Sequence, residues 1–354
     1  MLTLSSKKYL FGFMTQKQPT IKEIAKKLNI SVSSVSRALH DHPGIGLRTR
    51  LRVQQLAKEM NYEPNQTAIF FQQRKTFTIG VILPHLSESF FSDAISGIED
   101  TAHKNSYTVL IGQSHDEMEK EQQLLESMKK HRVDGLIVSI SKNTSSYAHF
   151  EVLKNANIPI VYFDRIPNMP DIHYVACNMV SGTIQAVNYL HKKGHRVIGL
   201  LNGPEKLFSS AERLDGYRKA LDKNRLKYDP SLVANSDLTT EGNYEATKKL
   251  LVNKRRVTSI VAFNDYVALD AMHYAQEQKV KVNKDICFVS YANFPFAKYL
   301  RYSPMASVEQ FPYIQGQKAT EMLLELLKKN DESETNPGYY KIILDSQLII
   351  YNQK

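Results

Sequence analysis

The sequence predicts an α/β protein in two parts: an all-α helix-turn-helix head at the N-terminus and a two-lobed, doubly wound α/β body behind it. Three observations predict this. Residues 21–39 read IKEIAKKLNISVSSVSRAL, two short helical patterns around a turn. From Phe77 onward, apolar runs of strand length alternate with amphipathic helical stretches, and the series occurs twice. The charge divides at the same place. Residues 1–76 hold thirteen Lys/Arg against four Asp/Glu, which is +9 of the chain's total of +10. A small basic head on a nearly neutral body is the footprint of a polyanion-binding module joined to something else.

Composition sets the outer limits. A chain of 354 residues, 42% hydrophobic and 23% charged, has material for two or three domains with a real core. Its two cysteines, Cys177 and Cys287, form no CxxC, so neither a disulfide framework nor a metal site is expected, and a reducing cytoplasm fits best. No apolar run approaches the roughly 20 residues that cross a bilayer. YLFGFM at 9–14 follows Lys7 and Lys8, but it is short and no small-residue cleavage site follows. Residues 1–18 read as a disordered leader, with Met14 as an alternative start.

The head is expected over 19–63. Ile21, Ile24, Ala25 and Leu28 recur at helical spacing behind Thr20 as N-cap. Asn29 tolerates the left-handed conformation of a tight helix exit, and Ser31 can cap a second helix. There Val35, Ala38 and Leu39 face inward, leaving Val32, Ser33, Ser34, Ser36 and Arg37 outside or at the helix start. Ala25 is small where the helices cross. In this pattern the second helix enters the DNA major groove with its N-terminal residues on base edges. A third helix, from about Leu47 to Met60, is expected to pack Leu51, Val53, Leu56 and Ala57 on the first two. Residues 64–76 form a linker holding Ile69, Phe70 and Phe71. It either packs on the next domain or forms a hinge helix in the minor groove, with an apolar side chain wedged between base pairs.

The body is expected over 77–354. TIGVILP, TVLIG, DGLIVSI and IPIVYFD make one series of strands, and HRVIGLLNG, SLVAN, TSIVAFND and DICFVSY make a second. Runs this apolar, separated by helices, indicate buried parallel sheets. Ligands of such sheets bind beyond the carboxyl ends of the strands, here in a cleft between two lobes. Polar and aromatic groups stand at those ends: Phe90 and Phe91, Asp164 and Arg165, Arg213, and Asn264 with Asp265. Each has a plainer reading, since a strand-end Asp often caps the next helix and an Arg can simply bridge lobes. Their shared location favours a small-molecule cleft. Ser209 and Tyr291 complete the set expected at the effector.

The run from IKEIAKKLNISVSSVSRAL through RTRLRVQQLAKEMNYEPN to TFTIGVILP resembles the lactose-repressor (LacI-type) family of bacterial transcription regulators, over nearly the whole chain after residue 19. The resemblance implies a body like that of periplasmic binding proteins. It implies that Val32 and Ser33 occupy base-reading positions, that Arg37 matches a base-reading arginine, and that Phe71 takes the place of a leucine wedge with Ala68 three residues before it. With Thr20, Ser31, Ser36 and Asn65 these make up the expected DNA-contacting set. Gly46 replaces a usual serine cap of the third helix. In the cleft, the resemblance implies stacking or lid roles for Phe90 and Phe91 and hydrogen-bonding roles for Arg213 and Asp265. One departure matters: Ser290, Tyr291 and Ala292 stand where the family commonly has Gly, an aromatic and Asp. Ala292 cannot accept a hydrogen bond through its side chain, and Leu207 and Phe208 make one wall more apolar. The resemblance also implies three crossovers, near Asp164, Met305 and residue 331. Lobe 1 would then hold about 77–164 and 305–330, and lobe 2 about 165–304 and 331–354, with YYKIILDSQLIIY closing lobe 2.

Catalysis has little support. There is no GxGxxG after the first strand, no GxxxxGK[ST], no HExxH and no GxSxG. Asp164 and Asp265 could pair as acid and base, but nothing supplies a nucleophile, and no cofactor is expected. A two-lobed solute-binding protein would have no use for the basic head. An architectural DNA-binding protein would leave the body unexplained. The expectation is a cytoplasmic, homodimeric transcription regulator of the repressor type. It binds a pseudo-palindromic operator under the control of a small-molecule effector, a sugar or related metabolite, with Ala292 leaving a modified sugar, a phosphorylated metabolite and a nonsugar ligand all open.

Overall fold

The computed structural model describes residues 19–63, 75–331 and 338–351. The expected leader and the hinge residues Asn65, Ala68 and Phe71 lie outside them. The chain divides into two units at Lys75–Thr76.

In the head, local chemistry sets each helix boundary. Helix α1 (Ile21–Leu28) opens with a capping box: Glu23 N–H donates to Thr20 Oγ1, and Thr20 N–H donates to the Glu23 carboxylate at 2.9 Å. It closes on Asn29 at φ 52, in the left-handed region. Ser31 caps α2 (Val32–Leu39) by accepting from Ser34 N–H at 3.1 Å. Helix α3 (Leu47–Glu59) starts at Gly46 with no side-chain cap. Ile24, Ala25, Val35, Ala38, Val53 and Ala57 form the core of the three helices. Leu51, expected in that core, is 55% exposed. It shares the outer face of α3 with Leu47, four residues earlier, whereas Val53 and Ala57 lie on the inner face.

The body is built on two six-stranded sheets. The first contains β1 (Thr78–Leu83), β2 (Thr108–Gln113), β3 (Gly135–Val138), β4 (Ile160–Phe163) and β5 (His173–Cys177), with α4 (Ser89–Lys104), α5 (Met118–Lys130) and α6 (Ala148–Asn155) between them. Along β1, Ile79, Val81 and Leu83 pack on one face of the sheet and Ile82 on the other. This is why the strand reads as a continuous apolar run. The second sheet contains β6 (Ile198–Asn202), β7 (Val233–Asn235), β8 (Ser259–Ala262), β9 (Cys287–Tyr291) and β10 (Ala306–Glu309). Its helices are α7 (Met179–Lys192), α8 (Phe208–Lys223), α9 (Thr240–Leu251) and α10 (Asp265–Glu277). Helix α11 (Pro312–Asp331) returns to the first lobe, and β11 (Lys341–Leu344) and β12 (Gln347–Ile350) follow.

The crossovers number three, but each falls later than expected. β5 lies beside β4 in the first sheet, so residues 165–177 belong to lobe 1 and the first crossing comes at Asn178. β10 pairs with β9, so the second crossing is at Gln310–Phe311 rather than Met305. The expected closing pair of lobe 2 is split: β11 runs parallel to β5 in the first sheet, and β12 runs antiparallel to β10 in the second. Only Asp345 and Ser346 separate them. Asn178 N–H donates to Leu344 C=O at 2.8 Å and Ser346 Oγ donates to Asn178 C=O at 3.0 Å, which stitches two crossings together. At the other crossing, Glu309 accepts from Phe311 N–H at 2.6 Å and from Asn293 Nδ2 at 2.7 Å.

Helices α4 and α11 cross on bare backbone. A Cβ at Gly97 would stand 2.1 Å from the Tyr313 carbonyl oxygen, and one at Gly316 would stand 2.1 Å from that of Ala94. Glycine at both positions lets the helices approach this closely.

Candidate functional site

On the head, the caps that start α1 and α2 also define which groups are free. The hydroxyls of Thr20 and Ser31 are engaged in capping, and Ser33 Oγ lies 2.8 Å from Ser31 Oγ. Val32, 41% exposed, opens the second helix beside exposed Ser33, and Arg37 is exposed at its far end. Ser36 is half-buried, and its backbone carbonyl accepts from His40 Nδ1 at 2.8 Å. Lys22, Lys26, Lys27, Arg48 and Arg52 add exposed positive charge to the unit, while Arg50 is held 3.3 Å from Asp41. A helix with small and apolar groups at its exposed start and an arginine further on can enter a groove and meet base edges.

In the body, the ends of the parallel strands face one another across a cleft. Phe90, Phe91, Asp164, Arg165, Ser209, Arg213 and Asn264 line one inner cavity of ≈ 40 Å³ between the lobes, room for about one water. Glu88, Phe263, Ala292, Phe294 and Gln310 complete its wall. Toward the mouth, Glu88, Arg165 and Asn264 also bound a second chamber of ≈ 290 Å³, close to the lower bound for a small-ligand site. Its other polar lining comes from His85, Asp116 and Lys142 of the first lobe and Thr240, Asn243, Tyr266 and Asp270 of the second.

The electrostatics are specific. Asp164, at φ 56 on the end of β4, has its carboxyl pushed up to about 6 by burial, against the pull of Arg165 and Arg213. Arg165 Nη1 donates to Asp116 Oδ1 at 2.6 Å, and His85 Nε2 lies 3.3 Å from Asp116 Oδ2. Arg213 has no ion pair at such a distance among the described residues, although Asp164 and Glu212 lie near enough to favour its charge. It is 3% exposed, donates from Nη1 to Ser209 C=O at 3.1 Å, and leaves Nε unpaired among the described residues. Its guanidinium is stacked between the rings of Phe263 and Tyr291, 4.0 and 4.4 Å from their centroids. Burial depresses its pKa. Across the mouth, Lys142 Nζ donates to Asp237 C=O at 2.8 Å, a direct link from the first lobe to the second.

Two expected effector residues turn away from the cleft. Asp265 is buried within the second lobe, where its carboxylate accepts from Ser290 Oγ, from Ser307 Oγ at 2.9 Å and from Phe294 N–H at 2.7 Å. It ties β9, β10 and the loop after β9 together and is 1% exposed. Burial still lifts its pKa to about 6 against those hydrogen bonds. Tyr291 is fully buried, shares a hydrogen bond with Thr183 Oγ1, and supports Arg213 from behind. The helix-capping reading applies to Asn264, whose Oδ1 accepts from Val267 N–H at 2.9 Å.

Of the residues not anticipated, Asp116 and Lys142 follow β2 and β3, so the strand-end rule could have found them. Asn243 and Asp270 lie inside helices and carry no sequence signal. A larger opening of ≈ 640 Å³ lies at the edge of the first lobe, lined by Phe150, Tyr162, Met169, His173 and Tyr339 among others, away from the carboxyl ends of the strands. Among the described residues no group of three or more His, Cys, Asp or Glu is placed to hold a metal ion. No helix there is long and apolar enough to cross a membrane.

The chain matches the family model of the bacterial regulatory proteins of the lacI family over residues 20–65. Residues 76–339 match that of the periplasmic binding proteins and sugar binding domain of the LacI family. Catabolite control protein A of Priestia megaterium is 30% identical over 311 residues, covering 88% of this chain and 93% of its own length. The HTH-type transcriptional repressor CytR of Escherichia coli strain K12 is 29% identical over 331 residues, 94% of this chain and 95% of its own. Among solved structures, the lac repressor dimer bound to operator and the anti-inducer ONPF superposes with a TM-score of 0.78 at 24% identity, covering 94% of this chain and 98% of that one.

Proposed function

Because the chain belongs to the LacI family of bacterial regulatory proteins and is a DNA-binding transcription regulator, we propose that its body is a metabolite sensor governing the grip of its head on an operator. Val32, Ser33 and Arg37 read bases from the second helix of the head, with Thr20, Ser31 and Ser36 at its borders. Phe71, Ala68 and Asn65 act in the segment that joins head to body. The effector lies between the lobes, touching Phe90, Phe91, Asp164, Arg165, Ser209, Arg213 and Asn264 at the inner end and extending into the chamber at the mouth. The protein works as a homodimer, since two heads about one helical turn apart match a two-fold operator, and it acts in the cytoplasm. It performs no catalysis.

One observation supports this reading: seven side chains, at strand ends or on the helices that follow them, converge from both lobes on a single cleft, and one of them, Arg213, is buried there with its Nε unpaired among the described residues. A buried guanidinium of that kind is costly unless something else completes its shell. Effector binding changes the angle between the lobes, and it controls DNA affinity to the extent that the two angles bind it differently.

The test is an operator gel shift with the full chain, with and without candidate metabolites, repeated on Arg213→Ala. The variant should keep operator affinity and lose the metabolite response. A variant that responds as the parent does would place the effector elsewhere.

A further inference from the structure

Arg213 reaches the inner end of the cleft on a side chain that the second lobe holds on several sides. Its guanidinium lies 4.0 Å from the ring centroid of Phe263 and 4.4 Å from that of Tyr291, and Nη1 donates to Ser209 C=O at 3.1 Å. Tyr291 is fixed in turn by α7. Thr183 and Tyr291 are both fully buried and share a hydrogen bond. Thr183 Oγ1 donates its one proton to Met179 C=O at 2.8 Å, so the Tyr291 hydroxyl is the donor of the pair. Burial keeps that hydroxyl protonated, with its pKa pushed up to about 12. Thr183 also meets the helix that carries Arg213: a Cβ at Gly216 of α8 would stand 2.8 Å from Thr183 Cβ.

In the other direction, the first turn of α7 reaches the crossings between the lobes. Asn178, where the chain leaves the first sheet, caps α7 by accepting from Ser181 N–H at 2.9 Å. Its backbone is bonded to Leu344 and Ser346 on the returning crossing. A Cβ at Gly182 would stand 2.9 Å from Ser346 Oγ and 3.3 Å from Tyr291 Cε1. Every step from the stitched crossings to the ring behind Arg213 is therefore a hydrogen bond or a close contact, and packing of that density has no slack to absorb a shift.

We infer, building on the effector reading above, that Thr183 is a positioning residue that couples the lobe crossings to Arg213. When the lobes change angle, the chain turns at Asn178 and Ser346. The first turn of α7 moves with them, and the bond between Thr183 and Tyr291 carries the movement to the ring on which Arg213 rests. The guanidinium is then placed differently at the two lobe angles. That difference in placement gives the effector different affinities for the two states, which control of DNA binding requires.

The experiment reads Arg213 itself, in the full chain and with no effector added. Its buried Nε–H gives a proton–nitrogen NMR signal, assigned by its loss in Arg213→Lys. Thr183→Val keeps the shape of the side chain and removes its hydroxyl. It should move that signal and speed its exchange with solvent by about fivefold or more, as expected for one buried hydrogen bond lost. Tyr291→Phe breaks the same bond and should do the same, with the double variant no worse than either alone; it serves in place of Thr183→Val if that variant does not fold. Ser346→Ala, at the crossing, should also move the signal, and should cease to do so once residue 183 is valine. A signal unchanged in both Thr183→Val and Tyr291→Phe would overturn the coupling, as would a Ser346→Ala effect of equal size with and without the Thr183 hydroxyl. The gel shift with Arg213→Ala tests the effector reading separately: its failure would move the effector elsewhere and leave these NMR outcomes as they are.

Discussion

Asp164 offers a direct check on the electrostatics of the cleft through Asp164→Asn. The residue sits at φ 56, a region where Asp and Asn are both at ease, so the change removes a charge without disturbing the backbone. Burial raises its pKa from 3.8 to about 6, net of the opposing pull of Arg165 and Arg213. Roughly two units at about 1.4 kcal/mol each put the ceiling on the cost of ionised Asp164 near 3 kcal/mol. A folded-state pKa above the unfolded value means that the fold holds the proton more tightly. The stabilising contribution is therefore complete below about pH 4 and lost as pH rises through about 6. Asp265, also lifted to about 6, and Glu212, lifted to about 7 by burial, titrate with it, so the parent should lose stability steadily toward pH 8. Asp164→Asn should match the parent near about pH 4 and exceed it by ~1–3 kcal/mol near pH 8. Urea unfolding of the full chain followed by circular dichroism measures this, since the protein has no tryptophan. A difference between variant and parent that stays constant across that range would refute the reasoning.

Three further outcomes are expected. Arg37→Ala should weaken operator binding by ~1–3 kcal/mol and relax base choice at one position in a gel-shift titration; an equal loss on random duplex would reduce Arg37 to a phosphate contact. Gly46→Ser should stabilise the start of α3 by a few tenths of a kcal/mol, because nothing lies within 4 Å of the added Cβ; hydrogen exchange of the first-turn amides of α3 should slow, and unchanged exchange counts against a side-chain cap there. Gly97→Ala should destabilise the body by ~1–3 kcal/mol or more, because its Cβ would meet the Tyr313 carbonyl; a melting temperature equal to the parent's would mean that α4 and α11 can separate without cost.

The sequence was legible where local chemistry decides the structure. Thr20, Asn29 and Ser31 mark helix ends by their own hydrogen bonds and backbone preference, and the buried strands are apolar on both faces. It was less legible where distant pairing decides. β11 and β12 are two short apolar runs two residues apart, and nothing local says that they join different sheets. The same limit applied to β5 and to the late crossings. In the cleft, strand-end position pointed to Asp164, Arg165, Arg213 and Asn264, which line the cavity between the lobes, but position does not give side-chain direction. Asp265 points inward because Ser290 and Ser307 on neighbouring strands offer it hydroxyls, a competition visible only once β9 and β10 are paired. The polar chamber escaped notice because it draws on the loops after β1, β2, β3 and β4 and on the flanks of α9 and α10, which meet only in the assembled lobes.

The split of β11 and β12 has a consequence for how the protein comes off the ribosome. Each sheet takes an edge strand from the stretch between Lys341 and Ile350, so neither lobe has its full set of strands until that stretch has been made. The head, by contrast, is contiguous and can take shape while the rest is still being translated. A nascent chain stalled before Lys341 thus carries a finished DNA-reading module on a body missing one margin of both sheets. Such a product could touch DNA and yet have no complete sensor to answer to.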